Sequence, residues 1–313
     1  MTVKIPLLLS FYALSNGSTT LIFGQVTYTR INDLSFKEYS RRKTFRTLLK
    51  LYRTRAYANE DITLVFTKGQ VQAQTNRHGA FYLKTTRDQV QGALVKVLLH
   101  TGEEIRLVEG LYAKTIHYME GDTIIISDID DTLVHSFIKD RLRKFHTLMF
   151  TTMEKRKAVT RMQELMNDFR EKGAIPVYLS NSEQNLYPLI YRFLHHNGFP
   201  QGPLFLKQMR KLWDVIMNIK IPPKNIHKIT TLEEMLTLFP GKRFILMGDN
   251  TQHDLPIYLS AVEKFGDSIR YIIIRRVVRK KTDETLIEKS RQMLADNNVK
   301  FYYAEDFPEV FEL

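Results

Sequence analysis

The chain has 313 residues and a formal net charge of +12, with 43% hydrophobic and 26% charged residues, a balance that excludes a disordered chain and leaves room for two domains. It contains no cysteine, which excludes a disulfide framework, thiolate metal ligation and thiol catalysis. No run approaches the roughly 20 consecutive apolar residues of a membrane span, so a soluble or peripheral protein is expected, and the basic surface favours an anionic partner: nucleic acid, acidic lipid or a phosphorylated substrate.

The opening "MTVKIPLLLSFYALSNG" has some features of a secretory signal, with Lys4 ahead of an apolar run. Its alternation, and the "TLIFGQVTY" that follows, read instead as strand, turn, strand, with Asn16-Gly17 as a hairpin-type turn. The stretch from Asp33 to Ala56 places Phe45, Leu48, Leu49 and Tyr52 at helical spacing, and its other face carries Arg41, Arg42, Lys43, Arg46, Lys50, Arg53 and Arg55. This basic helix is a solvated face on a β domain, a docking element for an anionic membrane, or a nucleic-acid contact; no interleaved aromatic platform supports the last. Short alternating strands then turn at Lys68-Gly69 and His78-Gly79, and "ALVKVLLHTGEEIRLVEG" adds two more, the pattern of a small β-sandwich.

From about residue 116 strands and helices alternate. "TIIISDI", "AIPVYLSNS", "RFILMGDN" and "IRYIIIRRV" are apolar strands. Helices lie between them: "MQELMNDFREKG", "LYPLIYRFLHHNG", "KITTLEEMLTLFP" and "LPIYLSAVEKFG". Strands that are apolar throughout, separated by amphipathic helices, imply a parallel sheet covered on both faces. The expected division is a β-rich domain over residues 1–115 and an α/β domain over residues 116–313.

In such a sheet ligands bind at the carboxyl ends of the strands. Three strands end in polar residues: Ser127 to Asp131, Ser180-Asn181-Ser182, and Gly248-Asp249-Asn250. Gathered carboxylates repel one another, so a cation or a shared proton is expected, and an oxygen-only ligand set points to a hard ion such as Mg²⁺. An aspartate beside such an ion can attack phosphorus, and a second carboxylate two residues on can serve the leaving group as an acid. The structural alternatives are an acidic turn for Asp128 and Asp130, a helix cap for Ser180, and an N-cap of the helix from Leu255 for Asp254.

"DIDDT", Asp128 to Thr132, resembles the DxDxT signature of the haloacid-dehalogenase-like (HAD-like) phosphatases. The ordered set "SDIDDT", "YLSNS", "YPLIYRFLHHNGFPQGPLFLK", the lysine-led helix and "FILMGDNTQHDLPIY" is similar, over roughly Gly121 to Val277, to the App1-type phosphatidate phosphatase catalytic domain. That resemblance implies a HAD-like (Rossmannoid) fold with a small cap, preceded by the β-rich sandwich-like domain. It implies Asp128 as nucleophile, Asp130 as general acid/base, and Mg²⁺ held by Asp128, Asp130 through its backbone carbonyl, Asp249 and Asp254. Ser180, Asn181 and Lys228 are then substrate-binding, with Lys224 as the rival lysine. The chain departs from the family pattern at Glu183-Gln184, where Pro-Trp is usual, and at Asn250-Thr251, where Ser-Gly is usual; these departures bear on the substrate. The expected activity is Mg²⁺-dependent hydrolysis of phosphatidate, in the cytoplasm and peripheral at an anionic membrane, with no nucleic-acid partner. The alternatives are a soluble phosphomonoester as substrate, or a non-enzymatic lipid-binding module, which would not need both Asp128 and Asp130.

Overall fold

The computed structural model describes residues 5–29, 55–129, 153–207, 226–250, 253–277, 283–305 and 307. The chain divides into two compact units: Met1–Glu120 with Glu183–Phe193 and Leu206–Ile219, and Gly121–Ser182 with Leu194–Phe205 and Lys220–Leu313.

The first unit begins with the hairpin expected from its alternation, β1 (Ile5–Ser15) and β2 (Thr19–Thr29), paired antiparallel. The turn is closed by the Asn16 side chain, whose Oδ1 accepts from the amides of Ser18 at 3.0 Å and Thr19 at 2.8 Å. Gly17 takes the φ of +97° that a residue with a Cβ resists. The same sheet holds β3 (Arg55–Ala56), β6 (Ala80–Thr86) and β9 (His117–Tyr118). A second sheet has the order β5 (Gln70–Gln74), β4 (Asp61–Lys68), β7 (Gln91–Leu99), β8 (Glu104–Ile105). Aromatic side chains from both sheets meet in the core, Phe11 lying 6.3 Å from Phe66 between ring centroids. The buried Tyr112 hydroxyl accepts from the Val108 amide and donates to the Leu8 carbonyl.

The expected basic helix lies outside the described residues except at its end, where the expectation fails. Arg55 and Ala56 are strand, paired with Tyr28 and Thr27 of β2. The unpaired edge of β2 supplies hydrogen bonds that a helical period in the sequence does not reveal.

The second unit is a six-stranded sheet in the order β12 (Leu204–Lys207), β11 (Ile175–Glu183), β10 (Thr123–Ser127), β13 (Arg243–Asp249), β14 (Ile269–Arg275), β15 (Lys300–Ala304). Strand β10 pairs in parallel with both β11 and β13, and β13–β14 and β14–β15 are parallel too. The helices of this unit are α1 (Met153–Glu171), α3 (Ile226–Leu238), α4 (Asp254–Phe265) and α5 (Glu284–Asp296), while most of α2 (Tyr187–His196) belongs to the first unit. Every residue of β10 is buried, which is why its three isoleucines follow one another without alternation. The chain runs from β10 outward to β11 and β12 and then returns to β13 on the other side of β10, so the strand order reverses at β10. A crevice opens at the carboxyl ends on either side of such a reversal.

Strands β12 and β15 and helix α5 were not among the elements read from the sequence. Strand β12 is only four residues long and follows the turn-rich "GFPQGP", so its buried Leu204–Leu206 run is too short to stand out, and β15 is an edge strand without a buried apolar run. The "GFPQGP" stretch is fastened to the scaffold: Gly198 has φ +68°, its carbonyl accepts from Gln163 and Asn167, and the Tyr178 hydroxyl donates to the Pro200 carbonyl at 2.7 Å.

Candidate active site

Asp128 leaves the carboxyl end of β10 with its amide hydrogen-bonded to the Met247 carbonyl of β13 at 2.8 Å, one further rung of the ladder. Its side chain is buried, as are those of Asp249, the last residue of β13, and Asp254, the first residue of α4. These three carboxylates each offer an oxygen within 4.8 Å of the others. Lys228, in the first turn of α3, reaches among them, its Nζ 2.6 Å from Asp128 Oδ1 and 2.6 Å from Asp254 Oδ1. Only 1% of Lys228 is exposed.

Two close approaches make this packing possible. The Asp249 amide donates to Asp254 Oδ2 at 3.3 Å. Gly248 leaves space for the same carboxylate, since a Cβ there would stand 2.7 Å from both Cβ and Oδ2 of Asp254. Asp254 is therefore not the N-cap of α4; His253 takes that place without a side-chain cap bond.

Burial of the Lys228 ammonium favours its neutral form, but Asp128 and then Asp254, by charge and hydrogen bond, outweigh that and raise its pKa. Lys228 is thus a fixed cation. Burial pushes the Asp254 carboxyl up, Lys228 opposes the rise, and the Asp249 charge adds to it, with a net upward shift. The three carboxylates gathered around one ammonium repel one another, and a cation among them would relieve that repulsion. The donors are all carboxylate oxygens, the set that a hard ion such as Mg²⁺ or Ca²⁺ takes.

Ser180 and Asn181 lie on β11 just beyond Tyr178, which is in register with Ser127, so they stand at the sheet end that carries Asp128. Ser180 is fully buried within the strand and its Oγ accepts from the Ser182 amide at 2.9 Å; it caps no helix. Asn181 presents a buried Oδ1 with no hydrogen-bond partner among the described residues. Asp130, Asp131, Thr132 and Lys224 lie outside the described residues, as do Trp213 and the region where a small cap was expected, up to residue 152. His195 and His196 are exposed at the end of α2.

The structure adds Tyr258, buried near all three acids, and puts Arg275, the first residue of the basic run "RRVVRKK", 4% exposed and in register with Asp249. Tyr258 was legible in principle, as the residue four beyond Asp254 on the same helix face.

The family model for "Phosphatidate phosphatase APP1, catalytic domain" matches residues 123–276, which hold the described members of this cluster. The phosphatidate phosphatase APP1 of Saccharomyces cerevisiae is 32% identical over 155 residues, 48% of this chain and 25% of the yeast protein. Residues 123–276 are thus similar to the App1-type catalytic domain. An uncharacterized protein of Schizosaccharomyces pombe is 24% identical over 239 residues, 74% of this chain and 38% of that protein. The similarity to these curated relatives thus spans a quarter to two fifths of their length. A solved carbohydrate acetylesterase from Xanthomonas citri superposes with a TM-score of 0.33 at 10% identity, covering 98% of this chain and 70% of that one, a likeness too loose to carry an argument. The matched region starts at the first residue of β10 and ends one residue past β14.

Proposed function

We propose that this chain is a Mg²⁺-dependent phosphatidate phosphatase of the HAD-like type, with catalysis in residues 116–313 and residues 1–115 as an accessory β-rich domain. The observation that carries the reading is the buried cluster of Asp128, Asp249 and Asp254 around Lys228 at the strand-order reversal, inside the region similar to the App1-type domain.

In this reading a carboxylate oxygen of Asp128 attacks phosphorus and the bond from phosphorus to the leaving oxygen breaks. Asp130 gives its proton to that oxygen, releasing diacylglycerol. Asp130 then takes a proton from water as the water attacks the aspartyl-phosphate, which frees inorganic phosphate and restores Asp128. Lys228 pairs with Asp128 in a buried setting and supplies positive charge where the phosphoryl oxygens gather charge. Ser180 and Asn181 bind the same phosphoryl group from the neighbouring strand. Asp128, Asp249 and Asp254, with the Asp130 carbonyl, would hold Mg²⁺, which when bound neutralises phosphate charge.

The cytoplasmic face of an anionic membrane is the proposed setting. It is supported by the charge of +12 and by the finding that, among the described residues, no helix is long and apolar enough to cross a membrane. The deciding experiment is phosphate release from phosphatidate in mixed micelles, with and without Mg²⁺, beside a panel of soluble phosphomonoesters and the Asp128→Asn variant. Mg²⁺-dependent release from phosphatidate, absent in the variant, is expected. Release from soluble esters alone would remove the lipid assignment, and activity in the variant would remove the nucleophile assignment.

A further inference from the structure

Helix α4 carries a second polar group on the face that bears Asp254. Tyr258 lies one turn further along, buried, and its hydroxyl donates to the Met247 carbonyl at 2.9 Å. The Asp128 amide donates to that same oxygen at 2.8 Å. One carbonyl at the end of β13 therefore uses both lone pairs, one for the residue that begins the catalytic loop and one for a tyrosine.

A phenol is an unexpected choice at this place. Burial, and then the charges of Asp254, Asp128 and Asp249, push its pKa well above the ordinary value, so its proton stays on the oxygen and the group acts as a fixed donor. Phenylalanine would fill the same volume without placing an oxygen near three carboxylates. The hydroxyl is explained by the carbonyl it orients.

Asp128 is thereby held at two points, and α4 stands behind both. Its carboxylate is held by Lys228, which Asp254 also holds. Its amide is held by the Met247 carbonyl, which Tyr258 fixes. We propose that Tyr258 is a positioning residue for Asp128, aiming the Met247 carbonyl so that the backbone of the nucleophile is fixed relative to phosphorus. The proposal rests on the reading of Asp128 as nucleophile. Without the hydroxyl the carbonyl is free to tilt, and misplacement of a reacting atom by about 1 Å costs up to about 100-fold in rate.

The test is Tyr258→Phe in the full chain, with kcat, KM and Tm measured on whichever phosphomonoester the wild type hydrolyses. A fall in kcat of about tenfold with KM within about twofold is expected, in a protein that remains folded. Replacing Tyr258 by 4-aminophenylalanine keeps a donor in place, and it should hold kcat within about threefold of wild type. An unchanged kcat in Y258F, even with a lowered Tm, would show a role in stability alone and overturn the proposal. So would a Y258F protein that does not fold, or an aminophenylalanine protein as slow as Y258F. A wild type that hydrolyses no phosphomonoester would overturn the nucleophile reading itself, a different result from an active wild type matched by Y258F.

Discussion

Lys228→Met is the perturbation most directly computed from the site. The lysine side chain is 2% exposed, and the carboxylates it contacts, Asp128 and Asp254, are 0% exposed in their side chains. Removing it takes away the cation that both Asp128 and Asp254 contact. Breaking a buried pair from one side costs about 3–5 kcal/mol, because the partner keeps its desolvation penalty. At a urea dependence of about 1–3 kcal/mol per M, the unfolding midpoint should fall by at least about 1 M. The assay is urea unfolding in the presence of a chelator, so that no divalent ion replaces the lost charge. The double variant Lys228→Met with Asp254→Asn removes one of the abandoned carboxylates and should recover about half of the lost stability. Activity should not recover with it: both proteins should show kcat lower by about 100-fold or more, as for loss of a group that meets developing charge. A single variant with an unchanged midpoint, or a double variant less stable than the single, would refute the account of Lys228 as the cluster's cation.

Gly248→Ala should destabilise by about 1–3 kcal/mol, because the added methyl would stand 2.7 Å from the Asp254 carboxylate; a thermal melt measures it. Mg²⁺ at about 100 times its Kd should stabilise the wild type by about 2.7 kcal/mol, and Asp249→Asn should abolish most of that gain in the same melts. His117, stacked 5.1 Å from Tyr12, has its pKa lowered by burial. The unfolded chain then binds the extra proton first, so this contribution is full above about pH 6.5 and is lost as pH falls towards the folded pKa. His117→Phe should flatten stability against pH between about 5 and 7, read from urea midpoints across that range.

The nature of each residue at this site follows from where the sheet puts it. Asp128, Ser180 and Asp249 were found in the sequence because each follows directly on a run of apolar strand residues, and such runs announce both burial and the carboxyl end of the sheet. Lys228 was one of two candidate lysines by sequence, and the structure puts it in contact with Asp128 and Asp254. The roles of Gly248 and Tyr258 depend on other parts of the chain. The first is required by a carboxylate six residues away, and the second by a carbonyl on the neighbouring element.

By itself the sequence determined the opening hairpin, the parallel character of the second sheet, and the strand ends at which the acids would stand. Period-2 and unbroken apolar runs are local properties that each strand carries alone. Tertiary structure alone decided that Arg55 and Ala56 join β2 as strand, that β12 and β15 complete the sheet, and that Lys228 is shared between Asp128 and Asp254. Those outcomes depend on which hydrogen-bonding edge, or which buried charge, a distant part of the chain leaves to be satisfied.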